Sequence, residues 1–282
     1  MAKCHVCFRH CVLEEGKIGF CGARTVRDGK VVAYNYGKVS GLALDPIEKK
    51  PLNNFFPGSY ILSVGSFGCN LRCPFCQNND ISWSEEARIF AENAKVVSPE
   101  ELVEAALDTR TQGNIGIAFT YNEPLVGYEF VLDTAMLAKE HGLKTVLVSN
   151  GTAEPTVLAE IVPYIDAMNI DLKGFTDEYY DKLLGGSRKQ VMDFISEAVK
   201  HCHVELTTLI IPGENDSEEE MRKMSAWIHG LEAANGKSIP LHISRFFPRF
   251  KMTDRDATDV RKVYRLAEVA REELEIVYTG NC

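Results

Sequence analysis

In YILSVGSFGCNLRCPFCQN, residues 60–78, an apolar run from Tyr60 to Phe67 gives way abruptly to Gly68-Cys69. A run of that length, rich in Ile, Leu and Val, reads as a strand. Its end delivers three cysteines, Cys69, Cys73 and Cys76, onto one short loop. The same rhythm continues downstream. Further strands are expected at 115–120, 144–149, 167–172, 204–211 and 241–246. Segments of helical period lie between and after them, near 99–110, 125–141, 155–164, 188–201, 217–234 and 258–274. Ser98-Pro-Glu-Glu101 and Ser217-Glu-Glu-Glu220 have the form of capping boxes, and Gly142 and Gly236 stand where helices should stop.

Six strand-then-helix units in a row make an α/β chain with a parallel sheet, wound as an open doubly wound sheet or a curved partial barrel. Either architecture puts its chemistry at the carboxyl ends of the strands. Polar or reactive residues stand at those ends: Gly68-Cys69, Tyr121-Asn122-Glu123-Pro124, Asn150-Gly151, Asp171-Leu172-Lys173-Gly174 and Pro212-Gly213. The sixth strand itself carries His242, Ser244 and Arg245. Residues 1–58 read differently, as an N-terminal Cys-rich β segment with a hairpin turn at Asp28-Gly29 and a Pro-bounded loop from Asp45-Pro46 to Pro57-Gly58. The expected division is therefore 1–58 and 59–282.

With 282 residues, 45% of them apolar and 25% charged, the chain has ordinary globular composition, and disorder, collagen and coiled coil are excluded. Its formal charge is −9, which disfavours a general nucleic-acid binder. No apolar run is long enough for a membrane helix, and MAKCHVCFRH lacks the apolar core of a signal peptide, so a cytoplasmic protein is expected. In a reducing compartment, nine cysteines mean metal ligands or catalysis before disulfides. Seven of the nine fall in two groups, at 4, 7, 11 and 21 and at 69, 73 and 76.

Three thiolates spaced Cys-x3-Cys-x2-Cys can hold three corners of an iron–sulfur cubane, which normally takes four, so one iron would keep an open position. A zinc knuckle is the plainer alternative. Cys4-x2-Cys7-x3-Cys11-x9-Cys21 has the count for a closed four-thiolate site, of zinc or of a second iron–sulfur cluster. Cys202 reads as a small apolar packing residue. Asp171 and Lys173 share one strand face and should point into the barrel together, where buried charges need partners. His242 and Arg245 differ in parity, so at most one of them faces inward. Cys282, the last residue, ends near the active face if the strand-like Ile276-Val277 runs parallel to the others.

The Cys69–Cys76 motif with its aromatic Phe75 resembles the signature of the radical S-adenosylmethionine (SAM) superfamily. PIEKKPL at 46–52, CPFCQN at 73–78 and TYNEP at 120–124 resemble the branch of pyruvate formate-lyase activating enzyme. The N-terminal cysteines and HISRFFP at 242–248 resemble the AmmeMemoRadiSam-system radical enzymes. The resemblance implies a partial (β/α)6 barrel from residue 59 onward, a [4Fe–4S] cluster on Cys69, Cys73 and Cys76, and S-adenosyl-L-methionine bound to the open iron. One electron from a donor such as flavodoxin or ferredoxin would release a 5′-deoxyadenosyl radical that abstracts hydrogen, from a protein glycine or another substrate. The resemblance also implies that Glu123 meets the methionyl ammonium, helped by Thr120 and Asn122, and that Ser149 and Asn150 approach the ribose or carboxylate. Phe75, Asp171, Lys173 and His242 are the further cofactor candidates. A radical enzyme acting on a small molecule or RNA, and a non-enzymatic iron–sulfur or zinc protein, remain as alternatives.

Overall fold

A computed structural model describes residues 1–282. The main sheet has eight strands: β1 (Gly41–Pro46), β2 (Tyr60–Gly65), β3 (Asn114–Thr120), β4 (Lys144–Ser149), β5 (Ala167–Asp171), β6 (His203–Ile210), β7 (Leu241–Arg245) and β8 (Val277–Gly280). The helices are α1 (Glu85–Asn93), α2 (Pro99–Asp108), α3 (Tyr128–Glu140), α4 (Pro155–Ile161), α5 (Arg188–Ala198), α6 (Glu218–Asn235) and α7 (Val260–Ala270). The strands lie side by side in chain order, and every pair is parallel except the antiparallel β1–β2. Right-handed crossovers put helices on both faces only where strand order reverses. It never reverses here, so the crossover helices α2 to α7 cover one face and the sheet curls around the other. The fold is a partial TIM-like barrel.

Alternation along the strands separates two surfaces. Outward residues such as Val64, Phe119, Leu147, Ile170, Leu206 and Ile243 are buried in one large core beneath the helices. Inward residues near the strand starts, Ile61, Ala118, Val146 and Ala167, pack against Ile47, Leu52 and Phe55. Residues 47–55 thereby plug the amino end of the barrel. Above that plug the inner surface turns polar, with Ser63, Asn169, Glu205, Thr207 and His242.

Several expectations are corrected. Asp45-Pro46 begins no loop: it closes β1, which pairs residue by residue with β2 from Gly41↔Gly65 to Pro46↔Tyr60. An edge strand has one unpaired side, which is why it tolerates a terminal proline. The boundary expected at residue 58 thus falls inside a two-stranded unit of the main sheet. Helix α1 has no counterpart in the sequence reading, because its buried face consists only of Ala87 and Ala91. The Ser98 box is complete, with both reciprocal bonds. The Ser217 box is half formed: Ser217 Oγ accepts from the Glu220 amide, while the Glu220 carboxylate turns away and accepts from the Phe175 amide. The expected hairpin is present as Arg24–Arg27 paired with Lys30–Ala33, with Asp28 and Gly29 both at positive φ, as a two-residue turn requires. No helix is long and apolar enough to cross a membrane.

Candidate functional site

The open barrel holds a cavity of about 700 Å³. It sits over the carboxyl ends of β2 to β7, as the fold dictates. Cys69, Cys73, Phe75 and Cys76 form one wall and Thr120, Asn122 and Glu123 a second. Ser149, Asn150, Asp171, Lys173 and His242 complete the ring. These are all twelve of the residues expected at the main site. A larger surface groove, about 1150 Å³, runs outside the barrel along α4 and α5 and contains none of them.

The cysteine loop is braced from several sides. Gly68 has φ +97°, and a side chain there would press on Ala23 and the Cys21 carbonyl. That carbonyl accepts from the Cys69 amide at 3.0 Å. The Arg72 amide donates to the Leu184 carbonyl at 2.9 Å. Arg72 Nη1 donates to the Cys69 and Leu71 carbonyls at 2.9 and 2.7 Å. Burial pushes the Cys69 thiol well above its ordinary pKa, and the Cys73 thiol up to about 12, with neighbouring thiols adding to both. Cys69 and Cys73, crowded and desolvated, are poor thiolates by themselves. A bound cationic cluster is the group that reverses this balance, and the donor set fits one.

Glu123 is the centre of a second network. Its Oε1 accepts from Ser149 Oγ at 2.8 Å and the Leu125 amide at 3.1 Å; its Oε2 accepts from the Asn150 amide at 2.7 Å. Burial raises its pKa to about 7 despite these bonds. Asn150 Nδ2 donates to Asn70 Oδ1 at 3.0 Å and lies 3.7 Å from Cys69 Sγ. Asn122 is committed to the backbone: it accepts from the Ser66 amide and donates to the Gly68 and Glu123 carbonyls. It therefore ties the ends of β2 and β3 together. Tyr121 holds φ +73°, unusual for a bulky residue. The motif thus stores backbone strain at the cavity wall.

Lys173 Nζ donates to Asp171 Oδ2 at 2.6 Å. Burial opposes the ammonium, but Asp171 and the Cys73 thiol beside it hold its pKa above the usual value. His242 faces inward, and its Nε2 lies 2.6 Å from Glu205 Oε2 while its ring stacks on Tyr278. Arg245 has the opposite parity and donates instead to the Thr258 carbonyl. Cys202 is buried beneath the helices, its thiol pushed up to about 12, as a packing residue should be. Cys4, Cys7, Cys11 and Cys21 are absent from this cavity and border a separate small space.

Three residues escaped the sequence reading. Lys50 is buried, donates to Asp45 Oδ2 at 2.8 Å and lies over the Tyr121 ring. Asn70 joins the cysteine loop to β4 through Asn150 and Thr152. Glu205 is fully buried and collects His203, His242 and the amides of Asn53 and Asn54. Only Glu205 left a trace in the sequence: a carboxylate inside the apolar run of β6, which demands buried partners.

Residues 63–224 match the radical SAM superfamily. An uncharacterized protein of Methanocaldococcus jannaschii is 40% identical over 99% of this chain and 81% of its own. The pyruvate formate-lyase-activating enzyme of Clostridium pasteurianum is 27% identical over 74% of this chain and 89% of its own. Among solved structures, Streptococcus suis SuiB bound to S-adenosylmethionine gives a TM-score of 0.58 at 13% identity, covering 76% of this chain and 48% of SuiB. At that identity the likeness is one of fold.

Proposed function

We propose, starting from the fact that the chain belongs to the radical SAM superfamily, that it is an enzyme using a [4Fe–4S] cluster and S-adenosyl-L-methionine to abstract hydrogen from a protein substrate. The observation that carries this reading is the meeting of Cys69, Cys73 and Cys76 with Glu123, Asn150 and Lys173 around one cavity. When bound, the cluster supplies the electron that cleaves the sulfonium, giving the 5′-deoxyadenosyl radical that takes the hydrogen atom.

The chain's own residues bind and orient. A carboxylate offers about four acceptor positions. Three on Glu123 are filled, so one remains on Oε2 for the methionyl ammonium. Lys173 supplies a cation for the methionyl carboxylate, and Asp171 keeps that ammonium charged and in place. Ser149 and Asn150 orient Glu123 and border the ribose side, with Thr120 beside them. Phe75, buried between two of the cysteines, gives the cofactor an apolar wall. His242, stacked on Tyr278, lies on the β7–β8 side of the cavity, which leaves it facing substrate more than cysteine loop. The similarity to pyruvate formate-lyase-activating enzymes supports a protein substrate, with activation of a glycyl-radical enzyme as its specific form. The electron comes from a carrier such as flavodoxin or ferredoxin.

The test is anaerobic reconstitution with iron and sulfide, then S-adenosylmethionine and dithionite, with 5′-deoxyadenosine as the readout. Deuterium transfer from candidate substrates identifies the target. Cys73→Ala should lose both iron and product. Full product formation by that variant would overturn the assignment.

A further inference from the structure

The cysteine loop has two sides. Leu71, Cys73 and Phe75 line the main cavity, whereas Arg72 lines a separate groove of about 390 Å³. That groove runs between residues 18–22, the loop and helix α1. Along and beside it, cations and aromatic rings alternate. The Arg9 and Arg72 guanidiniums lie 3.6 and 3.7 Å from the centre of the Phe20 ring. Arg72 also lies 5.3 Å from the Trp83 ring, and Lys251 Nζ lies 4.5 Å from the same ring. Trp83 meets Phe250 edge-on, and Arg88 borders the groove from α1.

These cations lack carboxylate partners. Elsewhere long basic side chains pair: Arg188 with Asp177, Arg222 and Arg265 with Glu218, Arg255 with Glu214. Arg9 and Arg72 donate to backbone carbonyls instead, and Arg88 and Lys251 are exposed to solvent. Glu92 is the single acidic residue lining the groove. In a chain of formal charge −9, this face is a local reversal of sign. Exposed Ile18 and Phe20 add apolar area beside the charges. An apolar centre with a rim of one sign suits a protein partner whose rim has the other.

Nearness to the cysteines says what the partner is for. Arg72 holds the Cys69 carbonyl at 2.9 Å. The Lys251 amide donates at 2.9 Å to the carbonyl of Pro74, between Cys73 and Cys76. The Gly68 amide donates at 2.9 Å to the Ile81 carbonyl, two residues before Trp83. The face is thus built onto the cysteine loop, on the side the main cavity leaves free. We infer that it docks a small acidic electron-carrier protein, which reduces the cluster from the groove side of the loop. The inference rests on the radical SAM reading. The step moves one electron: the carrier is oxidised by one, the cluster is reduced by one, and no bond or proton changes hands. A long polyanion such as RNA would extend beyond the face onto a surface of opposing charge, whereas a compact carrier touches the face alone.

The test uses the full chain with its cluster reconstituted, and flavodoxin as the probe. Binding of oxidised flavodoxin should weaken steeply as salt rises. Arg88→Glu/Lys251→Glu alters two exposed side chains. It should weaken that binding, and slow flavodoxin-driven 5′-deoxyadenosine formation at limiting carrier, by about tenfold or more. Arg88→Gln/Lys251→Gln should fall between, and both variants should match the unaltered chain when dithionite supplies the electron. Equal flavodoxin binding by the charge-reversed variant, binding indifferent to salt, or tighter binding of single-stranded RNA than of flavodoxin would each overturn the proposal. Flavodoxin binding is measured without turnover, so absence of 5′-deoxyadenosine with dithionite would count against the radical reading alone.

Discussion

Replacing Glu123 with Gln separates what this carboxylate does for the fold from what it does for the cofactor. Its pKa stands near 7 in the folded protein against 4.5 ordinarily. A folded pKa raised in this way means that the native state holds the proton more tightly than the unfolded chain. Stability then falls as pH rises from the ordinary value through about 7. At pH 8 the difference amounts to about 3 kcal/mol. Gln removes that penalty. It also turns an amide NH2 toward the Asn150 N–H, now 2.7 Å from Oε2, leaving a buried donor unpaired at a cost of about 1–3 kcal/mol. The two effects nearly cancel, so stability at pH 8 should change by no more than about 2 kcal/mol. Affinity for S-adenosylmethionine should fall much further in proportion. Losing a hydrogen bond to a charged group costs about 1.5–3 kcal/mol, roughly ten- to hundred-fold. The assays are urea unfolding at pH 5 and pH 8 and equilibrium binding by the anaerobic, cluster-loaded protein. Unchanged affinity in a stable variant would refute the assignment of Glu123 to the ammonium. A collapse in stability at pH 8 would refute the energetics.

Glu205 is the opposite case: burial works against its charge, but His203, His242 and two amides hold its pKa down at about 2. Its contribution is therefore complete above the ordinary carboxyl pKa and lost as pH falls toward 2; Glu205→Gln should cost about 3 kcal/mol at pH 7, and the gap in urea midpoint should shrink to roughly half or less by pH 3. A gap of equal size at both pH values would contradict this. Gly116→Ala places a Cβ 1.8 Å from the Lys144 carbonyl oxygen, backbone that no side-chain rotation can relieve. It should lower stability by about 3 kcal/mol or more, while Gly41→Ala, with nothing within 4 Å, should leave the melting temperature nearly unchanged.

The parallel strands were legible because burial on both faces writes continuous apolar runs, and the six expected ones fall within two residues of β2 to β7. Strand β1 was not, since an edge strand with exposed Gly41 and Leu42 writes no such run. Gly116 was equally silent. Between Tyr60/Leu62 and Asn114/Ile117, β3 carries one extra residue, and only the pairing reveals that bulge. At the site, strand parity allowed at most one of His242 and Arg245 to face inward, and His242 does; it also put Asp171 and Lys173 on one face, where they pair. Parity has nothing to say about loops. Lys50 and Asn70 belong to segments whose position is set by the strands they touch, so their roles emerge only in three dimensions.

The plug at the amino end of the barrel also has a place in time. Its residues are made early, but what anchors them is made late: Asn53 and Asn54 wait for Glu205, and the Asn54 side chain waits for the Tyr278 hydroxyl, 224 residues further on. At about 5–20 residues per second, that interval is roughly 11–45 s of synthesis. Within it, the cysteine loop and the first strands are made and leave the ribosome while the vessel around them has no floor. The cavity closes last, when the final strand is released.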